Sequence, residues 1–173
     1  MAEPLTSSSN ACFFIVGEDG LARWTAAAAG AWVGLIETHK RLVRELEAEL
    51  VAAHGLSLSA LELLGRLAGA DPRELGLSTL AAQAGLSLSR VSRIVDGLVA
   101  RGLVNRRSSA ADGRAKNACL TDEGMALLRR AQAAHFRGVQ GLFFDRLEPD
   151  QIAGLAETFA RLAPDSPDPL DGE

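Results

Sequence analysis

Between Leu21 and Ala53, apolar side chains return at near-heptad intervals: Trp24, Ala28, Ala31, Leu35, Leu42, Leu46 and Leu50. Glu37, Lys40, Arg41, Arg44, Glu45 and Glu49 fill the other faces. This is a helical period. The stretch has no proline, so the pattern predicts one helix, continuous or gently kinked. The alternative is a break near Gly30 and Gly34, where each glycine costs about 1 kcal/mol relative to Ala. A helix of about 33 residues, at 1.5 Å each, is ~50 Å long. That exceeds a compact globule of this size, so part of it is expected to pack on something outside its own core.

Further along, the periodicity is shorter and more punctuated. Ser59-Ala-Leu-Glu62 has capping-box spacing and predicts a second helix to about Ala68. "GADPRELG" (69–76) reads as a loop, because its proline and glycines break the period. "STLAAQAG" predicts a short helix starting at Leu77 or Ser78 and stopped at Gly85. Ser87 caps a further helix to about Arg101, which Gly102 ends. "LVNRR" and "KNACL" have strand character around a polar loop and predict a hairpin. Thr121 caps a long helix to about Arg146, with Asp122 and Glu123 well placed in its first turn. A last amphipathic helix follows, with Pro149 near its start. Residues 1–20 read as an irregular extension, although "CFFIV" is too apolar to be left in water. The acidic, proline-rich tail 164–173 has the composition of a disordered segment. The expected organisation is therefore an extension (1–20), a helical region made of 21–58 and 122–163, a helix-turn-helix with a wing (59–121), and the tail.

Composition fits one mainly α domain. The chain has 173 residues, 47% of them hydrophobic and 23% charged, with no tyrosine. Charge changes the picture more. The net charge is -4, yet residues 85–121 hold seven of the eighteen basic side chains against two acids. The segment is thus +5, and the remainder, eleven basic against twenty acidic, is -9. Two cysteines make no disulfide framework and fit a reducing compartment. The start lacks a basic export region, and the longest weakly apolar run, Ala26 to Ile36, is far short of the ~20 residues of a membrane span. No membrane association is expected, and the cytoplasm is the default.

The basic segment has a geometry. In the helix after Ser87, Leu88, Val91, Val95 and Leu98 form an apolar stripe that Ile94 widens, and Ser89, Arg90, Ser92 and Arg93 lie opposite. Serines let a backbone approach closely, the helix N-terminus favours phosphate, and arginine can pair bidentately with guanine. Taken singly, either arginine is also ordinary solvated surface. Together with the short helix before and the basic hairpin after, they point to nucleic acid. Arg101 is ambiguous, since a cation near a helix C-terminus is already favourable. Arg106 and Arg107 alternate across a strand, so at most one faces DNA squarely. Asp112-Gly113 allows a tight turn that sets Arg114 at the wing tip and Lys116 on the returning strand. An apical arginine suits a narrow minor groove. Asp112 either holds that guanidinium or is a plain turn former.

The string "LSTLAAQAGLSLSRVSRIVDGLVARGLVNRRSSAADGRAKNACLTDEG" resembles the winged helix of the MarR family of regulators. The likeness lies in the leucine-alanine first helix, the "VSRIVDGLVARGLVNR" segment, the "DGRAK" wing and the "LTDEG" entry to the next helix, and residues 21–162 follow the family's order of elements. Gly113 departs from the residue usual at the wing. The resemblance implies a mainly α, winged helix-turn-helix protein whose long N- and C-terminal helices form a homodimer interface. It further implies a transcriptional regulator, more often a repressor, bound to pseudo-palindromic double-stranded DNA. Ser87, Ser89, Arg90, Ser92, Arg93, Arg106, Asp112, Arg114 and Lys116 would carry the DNA contacts. The apolar Phe136, Val139, Leu142 and Phe143 of the fifth helix, with Phe159 and Leu162 of the sixth, fit the dimer.

Release by a small aromatic effector is also implied, with Trp24, Trp32, His39, Glu62 and Arg66 as candidate pocket linings, although core or surface roles serve each of them as well. A redox reading rests on Cys12, which has neither a tyrosine in the chain nor a nearby cation to activate it. Cys119 reads as a small buried hydrophobe. His39, His54 and His135 show no metal-ligand spacing, and no cofactor motif or catalytic signature occurs, so no enzyme is expected. A winged helix used only for protein contacts would explain the fold but not the clustered arginines.

Overall fold

The structure is a computed structural model that describes residues 13–108 and 116–163. The chain divides into two compact units between Arg41 and Leu42. In the first, strands β1 (Phe14–Val16) and β2 (Ala22–Trp24) pair antiparallel, with Phe14 opposite Trp24 and Val16 opposite Ala22. Asp19 closes the turn: its carboxylate accepts from the Leu21 amide at 3.1 Å and pairs with the Arg23 guanidinium, which holds its pKa below the usual value. Helix α1 (Ala26–His54) follows directly. The helix expected from Leu21 therefore begins five residues later, because Ala22–Trp24 is committed to the ladder and Thr25 Oγ1 accepts from the Ala28 amide at 3.4 Å. The expectation of an irregular 1–20 is corrected in the same way at Phe14–Val16.

The second unit holds the end of α1 and the elements α2 (Leu58–Gly69), β3 (Glu74–Gly76), α3 (Leu77–Ala84), α4 (Leu88–Ala100), β4 (Val104–Ser108), β5 (Lys116–Leu120), α5 (Asp122–Leu142) and α6 (Pro149–Leu162). Leu63, Leu64, Leu67, Leu80, Val91, Val95, Val104 and Ala118 form a fully buried centre shared by α2, α3, α4 and the sheet. The strand order is β3-β5-β4, antiparallel throughout, with Glu74 opposite Cys119 and Arg107 opposite Asn117. Three expectations change here. The segment 69–76 is not all loop, since Glu74–Gly76 adds a third strand to β5. The second helix is capped by Ser57, whose Oγ accepts from the Ala60 amide at 3.1 Å, and not by Ser59. The fifth helix stops at Leu142, and a separate 3-10 turn covers Phe144–Arg146.

Joints between elements set the position of α4. Gly85, at φ 61°, makes the left-handed step out of α3 that a side chain would resist. At the other end, Arg101 donates to the carbonyls of Gly55 (2.5 Å) and His54 (2.9 Å), so α4 closes the C-terminus of α1. Thr121 Oγ1 donates to the Gly102 carbonyl at 2.8 Å and accepts from the Gly124 amide at 3.0 Å, tying the start of α5 to the end of α4. Gly124 is required there, since a Cβ would lie 2.1 Å from the Leu103 carbonyl oxygen.

Candidate nucleic-acid interface

Helix α4 divides cleanly into a buried and a presented face. Val91 and Val95 are 0% exposed and Leu98 3%, packed on α2, α3 and β4. Leu88 is 51% exposed, so the apolar stripe starts one turn later than its spacing suggests. Ser87 caps the helix through its Oγ, which accepts from the Arg90 amide at 3.3 Å and lies 3.2 Å from Ser89 Oγ. Ser89, Arg90 and Arg93 are exposed. Arg90 reaches Ser59 Oγ on α2 at 3.2 Å, and Arg93 Nε donates to the Ser89 carbonyl at 3.3 Å. Both guanidinium groups are thus steadied by neutral oxygens, with no carboxylate bond among the described residues, and their charge stays available to an anion.

The two wing arginines take opposite faces of β4, as strand alternation requires. Arg106 turns back onto α4. It donates to Ser92 Oγ at 2.9 Å and to the Ser92 carbonyl at 3.1 Å, and it pairs with Asp96 at 2.8 Å. Its side chain is only 28% exposed, and its buried Nε has no partner among the described residues. Ser92 and Arg106 are therefore bonded to each other across the helix–wing joint. Arg107 is 67% exposed on the other face, 3.8 Å from the Glu74 carboxylate. Glu74 also accepts from Asn117 Nδ2 at 2.7 Å and from Cys119 Sγ at 2.9 Å. These bonds hold its carboxyl below the usual range. Burial, then the Glu74 hydrogen bond, pushes the Cys119 thiol up to about 11, so it carries no thiolate at neutral pH. Sequence reading left Glu74 out because the signal that marks it, a strand register, needs the fold. Lys116 Nζ lies 3.4 Å from Ser108 Oγ at the wing's limb. Asp112 and Arg114 lie outside the described residues, as do Cys12 and the tail.

The remaining candidates are placed within their own units. Trp24 meets Phe14 edge-on, ring centroids 6.4 Å apart, and Trp32 and His39 are exposed on α1. Glu62 and Arg66 pair with each other at 2.8 Å along α2. Phe136 on α5 and Phe159 and Leu162 on α6 are exposed, while Val139, Leu142 and Phe143, the residue that follows α5, are partly covered. No single helix among the described residues is long and apolar enough to cross a membrane.

A short helix, a left-handed glycine turn, a helix with arginines along its presented face and a β-hairpin behind it define a winged helix-turn-helix protein. The chain is similar over 87% of its length, at 34% identity and a TM-score of 0.76, to Sco3205 of Streptomyces coelicolor, a MarR family transcriptional regulator solved in complex with DNA, of which it covers 96%. It is 30% identical over 109 residues to the HTH-type transcriptional regulator PrsX of Escherichia coli, a match that takes in 61% of this chain and 65% of that protein. It is 25% identical over 135 residues to the HTH-type transcriptional repressor YetL of Bacillus subtilis, covering 76% of this chain and 80% of the relative. The MarR family model itself matches residues 54–115. The chain belongs to the MarR family.

Proposed function

We propose that this protein is a transcriptional repressor of the cytoplasm that binds a pseudo-palindromic operator as a homodimer. One observation carries the reading. The helix whose far side is buried by Val91, Val95 and Leu98 presents Ser89, Arg90 and Arg93 with no carboxylate among the described residues bonded to either arginine. Exposed cations on one face of an acidic chain attract phosphate, and small neighbours admit the helix to a major groove. Lys116 extends the positive surface along the wing. The DNA complex of Sco3205 and the likeness to the repressor YetL support the same direction. In a dimer, two such helices would read half-sites about one turn, ~34 Å, apart. The reading includes release by a small aromatic ligand, detected as reversal of a shifted complex by added phenolic acids.

Selection of bound duplexes from a random pool, followed by mobility shifts across a salt series, tests it. The expected outcome is a palindromic consensus whose affinity falls steeply with salt. Arg90→Ala or Arg93→Ala should relax preference at defined positions, by about 1–3 kcal/mol for a bidentate base contact. Recovery of no consensus, or two variants that bind as the parent does, overturns the assignment of α4 as the reading helix.

A further inference from the structure

We propose that Glu74 is a positioning residue for DNA binding: it tethers Arg107 on the outer face of the wing sheet and withholds that guanidinium from phosphate. The proposal rests on the DNA-binding reading above and adds a restraint to it.

The register puts the components on one face. Arg107 lies opposite Asn117, Cys119 is two residues further along β5, and Glu74 lies opposite Cys119 on β3. The carboxylate is the fixed pole of this cluster, held by Asn117 at 2.7 Å and by the buried Cys119 thiol at 2.9 Å. The guanidinium is the movable pole. At 3.8 Å it is beyond hydrogen-bond distance, and two-thirds of its side chain is in solvent. Exposed ion pairs of this kind are weak and screened by salt, so a phosphate close to the wing can compete for the cation only if it outbids a carboxylate that does not move. Arg106, one residue earlier, is committed to Ser92 and Asp96. Arg107 is therefore the side chain through which β4 can vary its attraction for a backbone, and Glu74 sets how much of that attraction is available. A lower non-specific affinity follows, which sharpens discrimination because phosphate contacts carry no sequence information.

The test measures binding of the full-length chain to a random-sequence duplex of about 30 base pairs, three helical turns, over a salt series. Thermal melts report the fold of each variant. Glu74→Gln should tighten binding several-fold at low salt and steepen the log–log salt dependence by about one unit, the signature of one added phosphate contact. Arg107→Ala alone should leave the wild-type salt slope unchanged, and the gain from Glu74→Gln should vanish in the Arg107→Ala background. The proposal is overturned if Glu74→Gln, still folded, binds no more tightly than the parent, or if its gain persists without Arg107, which would make it the loss of a bare charge. It is also overturned, whatever Glu74→Gln does to the fold, if Arg107→Ala by itself flattens the slope by a unit, because Arg107 would then already hold a phosphate. A wild type that binds no duplex overturns the DNA-binding reading and this proposal together, whereas a salt-dependent wild type with unresponsive variants overturns this proposal alone.

Discussion

Cys119 sits at 7% exposure beside an ionised carboxylate, and both burial and that charge oppose its thiolate. Its pKa rises from 9.0 to about 11, so below pH 9 the thiol is neutral whether the chain is folded or not. Between 9 and 11 the unfolded chain gives up the proton and the folded one keeps it, so stability must decline as pH rises through that window. The chain has no tyrosine and two cysteines, which leaves few other groups to titrate there. In a Cys12→Ser background, the urea midpoint should fall between about pH 8 and about pH 10.5, and Cys119→Ala should flatten the fall. An equal decline in both proteins would remove Cys119 as its cause. The arginines show how far sequence reaches at this scale. The presentation of Arg90 and Arg93 was legible from helical spacing, because their own helix decides it. The uses of Arg101, Arg106 and Arg107 were not, since their partners are the carbonyls of His54 and Gly55, the Ser92–Asp96 pair and Glu74. Like side chains in one basic run are separated only by contacts that cross elements.

At the scale of elements, the winged helix could be read almost to the residue where a cap or a left-handed glycine marks an end, as Ser87, Gly85 and Thr121 do. It could not be read where strands are three residues long. Phe14–Val16, Ala22–Trp24 and Glu74–Gly76 are too short for alternation to show, and Glu74–Gly76 exists only because β5 offers its edge. Capping-box spacing marked Ser59, the wrong serine, as the start of the second helix. Ser57 caps α2, and Ser59 is left to accept from Arg90. The joint between α4 and the wing rests on Arg106, whose guanidinium spans from β4 to Ser92 and Asp96. Solvent replaces part of what Arg106→Ala removes, because Arg106 is 28% and Asp96 62% exposed, so the folded state should lose on the order of 1–2 kcal/mol in urea titration. DNA affinity should fall further than stability alone explains, with an unchanged salt slope, because the recognition helix and wing lose their mutual angle while no phosphate contact is deleted. A slope reduced by one unit would instead place Arg106 on the DNA backbone.

For the whole molecule, two distributions matter, and neither belongs to a single element. Positive charge is gathered in residues 85–121 while the rest of the chain is strongly acidic, which concentrates the attraction for a polyanion in that segment. Exposed large apolar side chains are distributed the other way. Phe13, Ile15, Trp24 and Trp32 of the first unit and Phe136, Phe159 and Leu162 of the last helices are open, whereas within α3, α4 and the described wing only Leu88 is. A closed core in the winged helix and open apolar faces elsewhere are what a second copy of the chain would use, in keeping with homodimer formation. Phe136→Glu combined with Phe159→Glu should then convert a dimer to a monomer in sedimentation velocity at micromolar concentration. The helical circular dichroism should survive, since neither residue belongs to the buried cluster of Leu63, Leu64, Leu80, Val91 and Val95. Operator affinity should fall by about two orders of magnitude or more, because one recognition helix would bind without the effective concentration its twin supplies. Non-specific affinity per chain should change far less, as it depends on local charge. If the doubly substituted protein remains dimeric, the apolar faces of α5 and α6 are not the seam; if the parent is monomeric and still protects a full palindrome, two independent chains read it and symmetry resides in the DNA alone.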